Sequence, residues 1–318
     1  VYKKYPEVRK ILIGSSPYDE TSRFNKVAFP GKNTPILEIV DFLNARAREN
    51  QWGFVDFNRP MVAINQWEQA EDSMYTLCGK DRIHPSTDGH LVMAYLFLKA
   101  QGLAGKPVAD IRIDGAGKKV TRSDNLTFTY EAKSLPYPID TSYYDNEKHT
   151  QADALSVIPF MDEMNYEGLS VSGLSDGYYG LTIGGEFIGR FTARELERGI
   201  NMALLQNTPQ YKQAMKIRQM NEERWLKERK MREFYWVEYN LMRKTGMLWA
   251  CNEAAVDTLR KYRPHDIFLQ WNGALWLQYM HKGIREDCVN EQQDLVNQIY
   301  EQNKPIPLQI EIKKFTDL

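Results

Sequence analysis

The chain has 318 residues, of which 42% are hydrophobic, and a formal net charge of −1 at pH 7. This length is enough for two domains, and the composition is ordinary for a globular protein. The near-neutral charge argues against nucleic acid as the main partner. The longest apolar run, over residues 91–98, is too short to span a membrane.

The three cysteines, Cys78, Cys251 and Cys288, are far apart in the sequence. Their odd number and the lack of a C-x-x-C pair predict neither a disulfide framework nor a zinc site. His265 and His281 do not form a metal-ligand spacing with a nearby carboxylate pair. The sequence therefore predicts no metal site and no cofactor.

The first hundred residues alternate between strand and helix patterns. Residues 10–14 and 53–57 are short apolar strands, and residues 34–47 carry apolar side chains at helical spacing with Pro35 in the first turn. This alternation predicts an α/β fold with a parallel, doubly wound sheet over residues 1–104.

Two serines, Ser15 and Ser16, follow the first strand, at the end where open parallel sheets bind ligands. The sequence around them lacks a G-x-S-x-G elbow, and Pro17 indicates an ordinary turn. A structural role, or a place at the rim of a site, is favoured over that of a nucleophile. Asp56, at the end of the second strand, is better explained as a cap for the next helix than as a site residue.

The segment D-R-I-H-P, which places Asp81 three residues before His84, carries the clearest chemical pattern. A neutral histidine acts as a base when its other ring nitrogen donates to an acceptor that fixes the tautomer and stabilises the imidazolium. Asp81 can supply this acceptor, while Pro85 stiffens the loop and Gly89 permits a close approach before an apolar helix. The alternative is that Asp81 caps a turn and His84 is an ordinary surface histidine.

The D-x-x-H-P segment, the Gly-His pair that follows and the apolar helix resemble the last conserved block of the SGNH (GDSL-type) hydrolases. The resemblance implies a flavodoxin-like domain in which His84 is the general base for a serine and Asp81 orients it. That family carries its serine in a Gly-Asp-Ser block, with oxyanion donors in a glycine block and a Gly-x-Asn-Asp block. None of these blocks occurs in this sequence. We therefore expect the nucleophile on a missing N-terminal segment.

After residue 105 the pattern changes to alternating apolar and polar residues, which predicts a small antiparallel β accessory module over residues 105–192. Its G-Y-Y-G-L-x-I-x-G hairpin resembles the accessory region of a bacterial SGNH subgroup. A capping box at Thr192 and Glu195 begins a helical region over residues 193–304. The last residues, 305–318, are expected to form a strand that returns to the β module.

The helical region is rich in aromatic residues, including Tyr262, Trp271, Trp276 and Tyr279. These side chains could stack on a sugar, but packing in a helical core is the simpler explanation. The resemblance implies a serine esterase that cleaves a small-molecule ester, possibly of an acylated carbohydrate, through an acyl-enzyme. It also implies an exported bacterial protein, periplasmic or extracellular. The alternative is a non-catalytic protein that binds a ligand or partner on a retained hydrolase scaffold.

Overall fold

The computed structural model describes residues 4–115, 120, 124–141 and 148–315. The chain divides into two compact units. The first, here called the α/β unit, comprises the described residues of Val1–Tyr130, Pro136–Thr208 and Gln309–Leu318. The second, the helical unit, comprises Glu131–Leu135 and Pro209–Leu308.

The α/β unit begins with two parallel strands and three helices, and it ends with several short elements. The first elements are β1 (Ile11–Gly14), α1 (Asn33–Glu49), β2 (Gly53–Asp56), α2 (Asn58–Glu68) and α3 (Thr87–Ala100). Those that follow are β3 (Ala109–Asp114), β4 (Leu126–Tyr130), α4 (Phe160–Glu163), β5 (Glu167–Ser172), β6 (Tyr178–Ile183), β7 (Glu186–Thr192), α5 (Ala193–Arg198), β8 (Ile200–Asn201) and β9 (Leu308–Phe315).

Strands β1 and β2 pair in parallel, with Ile11 opposite Gly53 and Gly14 opposite Asp56. Their connection through α1 has the length and apolar face that a parallel crossover needs. Val55 of β2 and Val92 of α3 belong to one buried core, because the helix turns its apolar residues toward this layer. Within the described residues this sheet has two strands, so the α/β arrangement is observed while a complete flavodoxin-like sheet stays a prediction.

The prediction of an antiparallel β module is wrong for one of the two sheets that follow. Strands β3, β5 and β8 form a three-stranded sheet in which β3 and β5 run parallel, from Ala109 opposite Glu167 to Asp114 opposite Ser172. Alternating residues reveal that one face of a strand is exposed, and they carry no information about strand direction. The long connection from β3 to β5 leaves ample chain for a parallel return.

The second sheet has four strands in the order β4-β9-β6-β7. Its β6–β7 hairpin is antiparallel and turns at Gly184 and Gly185, whose φ angles of 59° and 84° suit glycine at both positions. Strand β9, from the end of the described chain, pairs antiparallel with β6. The last strand therefore completes a sheet whose other members lie more than a hundred residues earlier.

The helical unit contains α6 (Pro209–Val237), α7 (Glu253–Tyr262), α8 (Ile267–Tyr279) and α9 (Lys282–Gln302). A short π-helix, Glu238–Met242, continues α6. The core contains the fully buried Trp276, whose indole N–H donates to the buried carboxylate of Glu238 at 2.7 Å. Aromatic packing thus builds this core, as the sequence predicts for Trp276, while Trp271 is 66% exposed.

Among the described helices, none combines the length and apolar character needed to cross a membrane.

Candidate functional site

The D-R-I-H-P loop lies in the α/β unit and leads directly into the first turn of α3. The backbone N–H of Ser86 donates to the carbonyl of Leu77 at 3.3 Å, which closes the loop on itself. Gly89 packs so tightly here that a Cβ atom would lie 2.3 Å from the Leu77 carbonyl oxygen. The glycine predicted to permit a close approach therefore fixes where the loop meets the helix.

His84 and Asp81 are in direct contact. The Nδ1 atom of His84 forms a hydrogen bond with Oδ2 of Asp81. The other carboxylate oxygen accepts the backbone N–H groups of Ile83, at 3.1 Å, and His84, at 3.0 Å. This turn holds the carboxylate beneath the imidazole, so the ring is oriented with Nδ1 toward Asp81 and Nε2 away from it.

The His84 side chain is 84% exposed and that of Asp81 is 54% exposed. No hydrogen bond to Nε2 of His84 is found among the residues that the structure describes. Partial burial acts to raise the pKa of Asp81, but hydrogen bonds from the His84 side chain and from two backbone N–H groups outweigh it and lower this pKa. Asp81 is therefore an anion at neutral pH and can stabilise a positive charge on the ring.

Arg82, between these two residues, points the other way and is 2% exposed. Its guanidinium donates to the carbonyl oxygens of Asp19 at 2.9 Å, Ser22 at 3.0 Å and Asn25 at 2.5 Å. It also lies over the ring of Phe24, at 4.9 Å from the centroid. Arg82 thus ties the His84 loop to the segment that follows β1. Its φ of 69° lies in the left-handed region and belongs to the turn that directs the Arg82 side chain away from those of Asp81 and His84.

The segment after β1 contains both serines considered from the sequence. Ser15 is exposed and Ser16 is half-buried. Within the described residues, no hydrogen bond joins either hydroxyl to His84. The structure therefore brings Asp81 and His84 together and does not add Ser15 or Ser16 to them. Asp56 accepts the backbone N–H of Arg59 at 3.2 Å, in agreement with its interpretation as a cap.

A second His–Asp pair lies at the same end of α3. Nδ1 of His149 is 3.3 Å from Oδ2 of Asp88, whose side chain is 2% exposed. The hydroxyl of Ser86 donates to the other oxygen of Asp88 at 2.5 Å. Burial raises the pKa of Asp88, while Ser86 and His149 oppose that rise. Nothing in the sequence indicated this pair, because His149 is far from Asp88 along the chain and lies in no motif.

Two cavities lie in the α/β unit. One, of about 230 Å³, is lined by residues of the segments 18–21, 33–37 and 62–66 and includes the buried Asp19. The other, of about 270 Å³, is lined by Phe24, by His149 and by residues between Asp72 and Lys80. Lys80, which lines the second cavity, immediately precedes Asp81 in the chain. In the described part of the chain, no group of three or more metal-ligating side chains is found.

Comparison with known proteins supports a common origin with enzymes. The family model of the diltiazem deacetylase C-terminal helical domain matches residues 215–304. Nearly the entire chain is similar to a solved structure of a gut microbial diltiazem-metabolizing enzyme, with a TM-score of 0.88 and 39% identity. The match covers 98% of this chain and 74% of that chain. A search of curated proteins gave no match.

The matched helical domain and the similar solved structure together point to a hydrolase-related family. The chain belongs to the family of the gut microbial diltiazem-metabolizing enzyme, since 39% identity over nearly all of its residues is far above the level of a shared fold alone.

Proposed function

We propose that this protein is an esterase of the SGNH type that removes an acyl group, such as acetyl, from a small molecule. The observation that carries the proposal is the Asp81–His84 pair. The carboxylate of Asp81 orients the imidazole ring of His84, and Nε2 of that ring faces away from the carboxylate. The family adds support, because one member is named for metabolising diltiazem and the matched helical domain is named for a deacetylase. The resemblance of the same loop to that of SGNH hydrolases supports the more specific assignment to the SGNH type.

In this mechanism His84 takes the proton from a serine hydroxyl as the serine attacks the ester carbonyl. Asp81 stabilises the imidazolium that results. His84 then gives its proton to the departing alcohol, and it later activates the water that hydrolyses the acyl-enzyme. The proposal assigns the serine and the oxyanion donors to a segment outside the described residues. About a quarter of the similar enzyme's chain has no counterpart here, which leaves room for such a segment.

One observation favours a second function. Because no serine of the described chain bonds to His84, the protein could bind a small molecule, including an acylated carbohydrate, on a hydrolase scaffold without cleaving it. The two functions differ in one measurable respect, which is turnover that depends on His84.

The test is hydrolysis of p-nitrophenyl acetate and of diltiazem by the protein expressed from its complete gene. We expect His84→Ala to lower kcat by about 1,000-fold or more, because the base and the nucleophile act as a unit. The matched control is His90→Ala, which removes another exposed imidazole from the same segment and should retain full activity. Equal rates for the wild type and His84→Ala would remove His84 from the mechanism, and no turnover by the wild type would favour the binding function.

A further inference from the structure

A buried carboxylate, that of Asp88, lies in the first turn of α3 and takes no part in the proposed mechanism. Its side chain is 2% exposed. One of its oxygens accepts the hydroxyl of Ser86 at 2.5 Å and the backbone N–H of Gly89 at 2.8 Å. The other lies 3.3 Å from Nδ1 of His149. Because a buried carboxylate is stable only where hydrogen-bond donors surround it, these contacts hold Asp88 in one orientation.

The hydroxyl of Ser86 points to this carboxylate instead of capping the helix. Ser86 is the N-cap residue of α3, a position at which a serine side chain usually accepts a backbone N–H of the first turn. Within the described residues its side chain accepts no such bond and donates to Asp88. The backbone N–H of Ser86 donates to the carbonyl of Leu77 at 3.3 Å. Ser86 is therefore held through its side chain as well as its backbone.

Pro85 carries this constraint to the proposed base. It is the single residue between His84 and Ser86. The proline ring fixes its own φ angle, and it also disfavours the helical conformation for the residue before it, which is His84. Few free torsions thus separate the backbone of Ser86 from that of His84, so a displacement of Ser86 displaces the imidazole.

Arg82 anchors the loop on the other side of His84, through its bonds to three carbonyl oxygens in the segment 19–25. His84 therefore lies two residues from an anchored residue in each direction. Its side chain is 84% exposed, so packing against neighbouring side chains contributes little to its position. The position of the imidazole depends on the backbone between the two anchors.

We propose that Asp88 is a positioning residue for the reaction and that it acts through the hydroxyl of Ser86, which fixes the C-terminal end of the loop that carries His84. This assignment rests on the proposed esterase function and adds the residues on which the position of its base depends.

The first test is the kinetics of Ser86→Ala in the complete protein, with p-nitrophenyl acetate as substrate. We expect kcat to fall by roughly ten- to a hundredfold, because a small displacement of a base slows proton transfer strongly. KM should change by less than about twofold, since the contact serves the transition state and not substrate binding. An unchanged kcat, or a loss confined to KM, would overturn the proposal.

The matched control is Thr192→Ala, which removes the N-cap hydroxyl of α5 in the same unit. Both variants lose a hydroxyl at the start of a helix and should be less stable than the wild type. Below its unfolding temperature, Thr192→Ala should keep the wild-type kcat. If Ser86→Ala also kept it, the role of Ser86 would be merely structural.

A double-mutant cycle tests whether Asp88 acts through Ser86. Asp88→Asn keeps the size of the side chain, but the hydroxyl of Ser86 no longer meets a carboxylate, and kcat should fall by roughly three- to tenfold. Added to Ser86→Ala, the same change should have little further effect on kcat. Losses that multiply in the double variant, or a wild-type kcat in Asp88→Asn, would overturn the role of Asp88.

Hydrogen exchange of the backbone amides of residues 81–86, followed by mass spectrometry, tests the anchor without turnover. Exchange should be roughly threefold faster or more in Ser86→Ala and unchanged in Thr192→Ala, because only the first variant releases the loop. Equal exchange in Ser86→Ala and the wild type would overturn the anchor. Failure of the esterase function would be recognised separately, as absence of p-nitrophenyl acetate turnover by the wild type.

Discussion

At the scale of residues, the His84 loop depends on a buried cation whose hydrogen bonds within the described residues go to neutral oxygens. The guanidinium of Arg82 bonds to three backbone carbonyls and to the side-chain oxygen of Asn25, at 3.1 Å. A planar fork of five donors can meet all four of these oxygens, whereas a lysine ammonium has only three donors. Arg82 therefore fixes the backbone segment that carries Asp81 and His84.

We expect Arg82→Ala to lower the free energy of unfolding by about 2 kcal/mol or more, because it leaves several buried carbonyls without a donor. Arg82→Lys should lie between the alanine variant and the wild type. Arg260, whose side chain is 66% exposed and pairs with two carboxylates, provides the control, and Arg260→Ala should cost less than about 1 kcal/mol. Urea unfolding measures all four proteins, and similar losses for Arg82→Ala and Arg260→Ala would contradict the anchoring role.

The lowered pKa of Asp81 predicts a specific pH dependence. An aspartate whose pKa is lower in the folded state than in the unfolded state stabilises the folded protein. This contribution is complete above the unfolded-state pKa, which is about 4, and it is lost as the pH falls through the folded-state pKa. The stability difference between the wild type and Asp81→Asn should therefore decrease as the pH falls below about 4. A difference that increased as the pH fell below about 4 would contradict the direction of this pKa shift.

Several site residues could be predicted from the sequence, and others could not. Asp81 and His84 are three residues apart, so a single turn brings them together whatever the rest of the fold does. Arg82, by contrast, would be expected at the surface, since charged residues are rarely buried. His149 meets Asp88 only through the tertiary fold. Local chemistry is thus readable in the sequence, while contacts between distant segments are not.

At the scale of elements, the tight contact between α3 and the loop that precedes it determines the position of the Asp81–His84 pair. Gly89 has no Cβ, and a methyl group there would lie 2.3 Å from the carbonyl oxygen of Leu77 and 3.0 Å from Cβ of Pro85. The obstacle is partly backbone, which cannot move aside as a flexible side chain can. The loop would have to shift, and Asp81 and His84 would shift with it.

Gly89→Ala should therefore destabilise the protein by roughly 1–3 kcal/mol, the usual cost of overpacking, and lower kcat for p-nitrophenyl acetate. Gly283→Ala in α9 is the matched control, because no atom lies within 4 Å of the added methyl group. That change should be neutral or stabilise by up to about 1 kcal/mol through helix propensity. Thermal unfolding and p-nitrophenyl acetate hydrolysis provide the readouts, and a Gly89→Ala protein as stable and active as Gly283→Ala would contradict the close packing.

The elements also show where sequence patterns lose information. Helix α5 has the predicted capping box, in which the Thr192 hydroxyl accepts the Glu195 N–H at 3.2 Å. The parallel pairing of β3 with β5 was not predicted, because each strand shows only which of its faces is exposed. Local signals such as caps, turns and periodicity thus predict elements, and pairing over a long connection requires the fold itself.

At the scale of the whole molecule, the described residues that we assign to catalysis belong to the α/β unit, whereas the family model matches the helical unit. The core of the helical unit has its own buried polar contact. Glu238 accepts the indole N–H of Trp276 and the backbone N–H of Trp249, at 2.7 and 2.8 Å. Breaking this contact should weaken the helical unit without removing a catalytic group.

Trp276→Phe should lower the free energy of unfolding by about 1–3 kcal/mol, because it leaves a buried carboxylate oxygen without its donor. Trp271→Phe, at a 66% exposed position, should change stability by less than about 0.5 kcal/mol. Both variants should keep the wild-type kcat below their unfolding temperatures, measured on p-nitrophenyl acetate. A kcat that fell with stability in Trp276→Phe would show that the helical core contributes to catalysis.

The most direct test of the central claim, that Asp81 acts through His84 on an ester, is a double-mutant cycle on kcat for p-nitrophenyl acetate. It uses the complete protein with Asp81→Asn, with His84→Ala and with both changes. Because an orienting carboxylate has no effect once its histidine is gone, the double variant should be as slow as His84→Ala alone. Losses that multiply in the double variant would show that the two residues act independently and would contradict the account.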